Sequence, residues 1–215
     1  ISILFYNISI RFKFSNLYGK EPLFIGSVQV AHYEKDGQVV ANTSRPVTFQ
    51  NETIVTIPAG KEIYSDAIAF PTEKRKHLAV SVYLPNKTNT STWHFTPSQT
   101  TYVAEGDHSN ENSSNAFKIK LNSYYWLSGM EVKVENKKAS TIIAFGDSIA
   151  EGIASTLDAN HRWTDYLSDF LNQYDHFQHI SVLNAGISGN QILKDGTEVR
   201  EIVAGEKMLS RMERD

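Results

Sequence analysis

A serine at the end of an apolar segment is the first candidate for chemistry in this sequence. Residues 141–145 have the length and β-branched character of a strand, and the turn Gly146-Asp147-Ser148 follows directly. In open α/β sheets such a turn can lift a serine hydroxyl out of the end of a buried strand, where it acts as a nucleophile. The spacing differs from the Gly-x-Ser-x-Gly elbow, because Gly146 lies two residues before Ser148 and Gly152 lies four after it. The alternative is that Ser148 only caps the helix that follows.

A second loop has the same placement after another short apolar strand that we expect to be buried, residues 180–183. It runs from Asn184 to Asn190 and contains Gly189. Because the carboxyl ends of parallel strands meet at one edge of a sheet, we expect the Ser148 and Gly189 loops to lie together. Gly189 would allow a substrate to approach the backbone closely, and the alternative is an ordinary turn glycine.

The elements before residue 137 read as strands. Ile8–Phe14 alternates apolar and polar residues, and Asp36-Gly37 is typical of a hairpin turn. Further strands are predicted at Ile1–Phe5, Leu23–Tyr33, Val47–Phe49, Ile54–Ile57, Leu78–Leu84, Ala116–Leu121 and Met130–Val134. Many short strands without a helical period predict a β-sandwich, jelly-roll-like domain over residues 1–137.

The pattern changes after the polar stretch 135–140. Apolar residues then recur at helical spacing, at Trp163, Tyr166, Leu167, Phe170, Leu171 and Tyr174. A second helix is expected within Glu198–Met212. Strand, helix, strand and helix predict a parallel sheet, so residues 138–215 are expected to form part of an α/β domain.

These motifs resemble those of the SGNH (GDSL) hydrolase superfamily. Residues 145–149 are similar to its first block and residues 184–190 to its second. The resemblance is nearest to the branch of xylan-esterase-like enzymes with an N-terminal β-domain, because residues 155–160, followed by Arg162-Trp163, look like that branch's loop before the first helix. The fold it implies is a flavodoxin-like three-layer α/β/α hydrolase domain. One departure is Ala150-Glu151, where relatives often carry Thr-Asp, and we expect this change to affect the helix start more than the chemistry.

The resemblance also implies roles for individual residues. Ser148 would be the nucleophile, and the backbone N–H groups of Ser148 and Gly189 would form the oxyanion hole, each worth about 3 kcal/mol of barrier in related hydrolases. Asp147 and Asn184 are expected to brace the two loops by hydrogen bonds.

Two further blocks of the family are missing: the Gly-x-Asn-Asp block with its oxyanion-hole Asn, and the Asp-x-x-His block with the base. Asp158-Ala159-Asn160-His161 has the second spacing but follows Ser148 too closely, so we do not interpret it as the catalytic pair. His176 and His179 are expected at the surface, and His94 is interpreted as structural, with a place in the cleft as the alternative. We therefore expect the hydrolase domain to be incomplete here, the proton acceptor to lie beyond Asp215 or in a second chain, and residues 1–215 alone to turn over esters weakly.

Composition limits the remaining functions. The net charge of −3 predicts no nucleic-acid partner, and no apolar run approaches the roughly 20 residues of a membrane span. The sequence has no cysteine, and its His, Asp and Glu residues lack metal-ligand spacing, so neither a metal nor a cofactor is expected. No compartment is predicted, since Ile1–Phe5 lacks the features of a signal peptide.

Two functions from different classes follow. The first is a serine esterase that cleaves small acyl esters, including acetyl esters on polysaccharide, through an acyl-enzyme on Ser148. The alternative is a carbohydrate-binding or interaction module whose partial hydrolase domain is inactive.

Overall fold

A computed structural model of the protein describes residues 8–70, 76–196 and 201–215. The chain divides into two compact units: the first is Ile1–Trp93 with Thr101–Glu135, and the second is His94–Thr100 with Asn136–Asp215. The seven-residue segment His94–Thr100 therefore belongs to the second unit, whereas the predicted boundary at residue 137 places it in the first. The predicted strand Ile1–Phe5 lies outside the described residues.

Short strands make up the described part of the first unit. They are β1 Ile8–Ser15, β2 Leu23–Ile25, β3 Ser27–Lys35, β4 Gln38–Val39, β5 Arg45–Pro46, β6 Val55–Ile57, β7 Glu62–Tyr64, β8 Ile68–Phe70, β9 Leu78–Tyr83, β10 Trp93–His94, β11 Thr101–Val103, β12 Ile119–Leu121, β13 Tyr124–Tyr125 and β14 Leu127–Lys133. The second residue of β10, His94, already belongs to the second unit. Strand β1 pairs with β14, β7 and β8, and β3 pairs with β4, β5 and β9. These pairs and the smaller pairs β2–β6 and β11–β12 are antiparallel. Among the described residues, every predicted strand except Val47–Phe49 forms at least in part, and the assembly of the strands as a sandwich stays a prediction.

The alternation along β1 explains why it is central. Ile10, Phe12 and Phe14 are fully buried, whereas Arg11, between them, pairs with Glu131 at the surface. The same core takes in apolar residues of β2, β3, β6 and β8. The hairpin at Asp36-Gly37 is also confirmed, because both residues have positive φ and join β3 to β4.

The strand predicted at Val47–Phe49 does not form, although both residues are buried. Strand β5 ends at Pro46, and Phe49 makes only an isolated bridge to Glu52. The carboxylate of Asp66 accepts hydrogen bonds from the Thr48 hydroxyl and from the backbone N–H groups of residues 50 and 51. This competing side chain holds the backbone in a turn where the sequence pattern favours a strand.

The second unit contains two parallel strands joined by helices. Its elements are β15 Ser140–Gly146, α1 Ser148–Glu151, α2 Trp163–Asn172, a 3-10 turn Asp175–Phe177, β16 Ile180–Gly186, α3 Glu201–Ala204 and α4 Met208–Arg211. Strands β15 and β16 pair in parallel from Ser140 opposite Ile180 to Gly146 opposite Gly186. The predicted strand–helix–strand order and parallel pairing are confirmed.

Burial in this unit differs from the expectation. Ile143 on β15 is 53% exposed and Leu183 on β16 is 44% exposed, so the prediction that both strands are buried is wrong. Along α2, Leu171 is buried but Trp163 and Phe170 are about half exposed. The reason is that a described sheet of two strands covers only part of the apolar face of the helix.

The second predicted helix, Glu198–Met212, begins in residues outside the described part of the chain. Its described part forms the two short helices α3 and α4, which are separated by Gly205 with φ of 62°. Among the described helices, none has the length and apolar character needed to cross a membrane.

Candidate functional site

The turn that carries Ser148 begins where β15 ends. Asp147 is the N-cap of α1, and its carboxylate accepts a hydrogen bond from the Ile149 N–H at 2.9 Å. Ser148 is the first residue of the helix, which lasts one turn and is followed by its C-cap, Gly152, with φ of 80°. Asp147 therefore serves as the helix cap, a role that the sequence alone left open for Ser148.

The second predicted loop leaves the sheet beside the first. Gly146 and Gly186 lie opposite each other at the ends of β15 and β16, and the Ile187 N–H donates to the Gly146 carbonyl at 3.0 Å. A Cβ on Gly186 would lie 2.2 Å from the backbone nitrogen of Glu151, so only glycine allows α1 to sit this close to the strand end. The structure thus brings the Ser148 and Gly189 loops to the same end of the sheet, as the sequence predicted. Gly189 itself has φ of 79°, which favours glycine.

Asn184 connects the two loops. Its side-chain amide donates to the carbonyls of Ala150 and Glu151 and to the Thr164 hydroxyl, at 3.0 to 3.1 Å. Its side-chain oxygen accepts the Gly186 N–H at 3.0 Å. One side chain therefore ties the end of β16 to α1 and α2.

Glu151, the last residue of α1, is the centre of a chain of three side chains. It is 6% exposed; one carboxylate oxygen lies 2.5 Å from His94 Nε2, and the other accepts the Ser188 hydroxyl at 2.5 Å. Burial works to raise the pKa of Glu151, but the hydrogen bonds from His94 and Ser188 outweigh it and hold this pKa below its ordinary value. We expected position 151 to affect mainly the helix start; instead its side chain contacts the residue next to Gly189.

Residues 94–100 make further hydrogen bonds to the rest of the second unit. The Asp158 carboxylate accepts both the backbone N–H and the hydroxyl of Thr100, each at 2.6 Å, and the Arg162 guanidinium donates to the Pro97 carbonyl. Both carboxylate oxygens of Asp158 thus bind Thr100, and the exposed His161 ring lies beside Tyr166. This arrangement gives Asp158 a structural role.

A buried arginine that sequence reasoning missed lies beneath both loops. Arg211 on α4 is 1% exposed; it donates to Asn190 Oδ1 at 3.0 Å and to the Gly146 carbonyl at 3.2 Å. Its guanidinium also pairs with Asp215 and lies 4.1 Å from the centre of the Phe145 ring. The Asn190 amide in turn donates to the carbonyls of Ala204 and Glu206. No periodic pattern distinguishes Arg211 from the charged residues around it in the sequence.

The other histidines of the second unit lie away from the Ser148 turn. His176 and His179 precede β16, and the His179 carbonyl accepts the Ser140 N–H at the start of β15. A seven-residue strand separates that end of the sheet from the Ser148 end by about 20 Å. Among the described residues, no group of three or more His, Asp or Glu side chains is arranged to hold a metal ion.

The chain was compared with known proteins. No curated protein matches it. Residues 142–208, from β15 to the first residue of α4, match the family described as GDSL-like Lipase/Acylhydrolase. The matched stretch includes the Ser148 turn and the Gly189 loop, and it makes this part of the chain similar to hydrolases of the GDSL type.

Proposed function

We propose that this protein is a serine esterase of the SGNH type in which Ser148 is the nucleophile. The observation that carries the proposal is the in-register ending of β15 and β16 at Gly146 and Gly186, from which the Ser148 and Gly189 loops leave side by side. The family match over residues 142–208 supports the same reaction class.

In the proposed reaction, Ser148 Oγ attacks the carbonyl carbon of an ester and gives up its proton to a base. The tetrahedral oxyanion accepts hydrogen bonds from the backbone N–H groups of Ser148 and Gly189. Collapse of this intermediate expels the alcohol and leaves an acyl-enzyme, which water then cleaves. Asp147 and Asn184 are proposed as supporting residues, because they fix α1 and the end of β16. The proposed chemistry needs neither a metal nor a cofactor.

The base is not assigned to a residue of the second unit. His94 is engaged with Glu151, His161 lies beside Tyr166, and the remaining two histidines lie at the far end of the strands. The proposal therefore concerns the nucleophile and its oxyanion donors.

The substrate class that we propose is a small acyl ester, with acetyl groups on polysaccharide as the natural target. This choice rests on the resemblance of residues 155–160 and Arg162-Trp163 to xylan-esterase-like enzymes. Hydrolysis of acetylated xylan compared with longer acyl esters of the same alcohol would test it.

The test of the nucleophile is Ser148→Ala in the protein at its natural full length. Aryl-acetate hydrolysis should fall at least a thousandfold, because no other hydroxyl occupies this turn. Two variants are controls. Ser181→Ala removes a hydroxyl at the other end of the same sheet, and His161→Ala removes the ring next to Tyr166; each should change turnover less than tenfold. Wild-type turnover in Ser148→Ala, with the fold intact by circular dichroism, would exclude Ser148 as the nucleophile.

A further inference from the structure

We propose that Glu151 is a positioning residue for the oxyanion hole. Its carboxylate binds the Ser188 hydroxyl and thereby orients the backbone N–H of the next residue, Gly189. His94 fixes the second oxygen of the same carboxylate. The inference rests on the proposed esterase function and assigns a role to three side chains that the resemblance leaves without one.

The connection between the two proposed donors is short. Ser148 and Glu151 are the first and last residues of the single-turn helix α1, and Ser188 immediately precedes Gly189. The contact of 2.5 Å between Ser188 Oγ and the Glu151 carboxylate therefore joins the helix that carries one N–H donor to the loop that carries the other.

The carboxylate itself has little freedom. His94 Nε2 lies 2.5 Å from Oε1 while Ser188 lies on Oε2, so both oxygens have partners and rotation of the carboxyl group would break one contact or both. The backbone of Glu151 is held as well, because its carbonyl accepts from Asn184 and its N–H lies against Gly186. A group fixed at both ends can transmit its position to Ser188.

Gly189 needs an external constraint of this kind. It is exposed and has no side chain of its own to pack, so the peptide group between Ser188 and Gly189 can rotate more easily than one in a strand. Oxyanion donors contribute only when they point at the developing charge, and small displacements of catalytic groups reduce rate strongly. The hydrogen bond from Ser188 to Glu151 supplies the constraint.

Burial makes the Glu151 carboxylate depend on its two hydrogen-bond partners. A carboxylate that is 6% exposed loses most of its hydration, which is costly unless hydrogen bonds replace the water. Asp165, in the first turn of α2, accepts the Arg162 backbone N–H and lies at a half-buried surface position. Asp165 is therefore a matched control: a helix-associated carboxylate with a structural hydrogen bond and no contact with the Ser188 loop.

The kinetic experiment compares kcat and KM for aryl-acetate hydrolysis in wild type, Glu151→Gln, Ser188→Ala, the double variant and Asp165→Asn. We expect each of the first two single changes to lower kcat about tenfold with KM unchanged. We expect the double variant to be no slower than the slower single variant, because both changes break one contact. Asp165→Asn should lower stability but leave kcat within twofold. Unchanged kcat in Ser188→Ala, multiplying losses in the double variant, or an equal loss of kcat in Asp165→Asn would each overturn the inference.

A second measurement does not depend on turnover. The ¹⁵N order parameter of Gly189 should be near the rigid value of about 0.85 in wild type and fall toward about 0.6 in Ser188→Ala, with Asp165→Asn like wild type. Equal order parameters in wild type and Ser188→Ala would overturn the positioning role even if Ser148 proves to be the nucleophile. The two proposals can also fail separately in the other direction. A mobile Gly189 in Ser188→Ala would support the positioning contact, while full turnover in Ser148→Ala would reject Ser148 as the nucleophile.

Discussion

The two units differ in what fills their interiors. In the described part of the first unit, the large buried side chains are apolar except for Asn16, and they include Phe12, Phe14 and Phe70. In the described part of the second unit the buried apolar residues are Ala144, Leu171 and Ala204, while Glu151, Thr164, Asn190 and Arg211 are buried with hydrogen-bond partners. The interior of the first unit is mainly an apolar core, whereas hydrogen bonds between buried polar side chains connect the elements of the second.

This difference has a consequence for what each unit can specify. Apolar packing stabilises a unit in proportion to the area that it removes from water, and this contribution is not directional. A buried polar network stabilises less for its size, but it fixes positions, because every donor needs one particular acceptor. The elements that carry Ser148 and Gly189 lie within the second kind of interior.

The largest effect is expected in the first unit. Phe12→Ala removes a fully buried ring from the strand at the centre of the core and should lower the free energy of unfolding by about 4 kcal/mol. Ile119→Ala, a truncation at a half-exposed position of the same unit, should change it by less than about 0.5 kcal/mol. Urea denaturation measures both. Similar losses in the two variants would contradict the apolar character of this core.

Arg211→Met should have the next largest effect. The methionine keeps much of the apolar bulk but removes the donors to the Asn190 side chain and the Gly146 carbonyl, so we expect a loss of about 3 kcal/mol. Arg214→Met is the control, because Arg214 pairs with Glu206 and Asp215 at a partly exposed position and should cost less than about 1 kcal/mol. The same denaturation measurement applies. Equal losses for the two arginines would mean that the polar network does not hold the second unit together.

The smallest effect is a dependence on pH. The lowered pKa of Glu151 means that its ionised form stabilises the fold above its ordinary pKa of 4.5 and that this contribution is lost as the pH falls through the folded-state value. Wild type should exceed Glu151→Gln in free energy of unfolding by about 1 kcal/mol at neutral pH. The difference should shrink toward zero as the pH falls below 4.5, because the protonated acid then resembles the amide. A difference that stays constant from pH 7 to pH 3 would show that the charge of Glu151 is not what stabilises the network.

The sequence predicted the parts of the second unit that depend on local pattern. Strands β15 and β16 were visible as apolar runs, and the turns at Gly146 and Gly186 followed from the change to small and polar residues. Their parallel pairing followed from the helix between them. The exposure of Ile143 and Leu183 was not predictable, because an apolar strand gives no information about how many neighbours cover it.

Residues that act over long separations escaped prediction. We expected Glu151 to affect mainly the helix start, and its partners lie 57 residues before it and 37 after it. Arg211 lies among charged residues that face solvent, and its burial depends on acceptors at Gly146 and Asn190. Neither position has a periodic pattern, so only the assembled chain reveals the role of these side chains.

The segment His94–Thr100 also bears on how the chain is made. His94 is synthesised 57 residues before its partner Glu151. At about 5 to 20 residues per second, the delay between the two residues is roughly 3 to 11 s. The segment must therefore stay accessible while the intervening chain is added, and closing so wide a loop costs entropy before its contacts form. For the same reason the second unit cannot be transplanted as one continuous stretch: a graft that begins at Asn136 would carry Glu151, Asp158 and Arg162 without the residues that they bind.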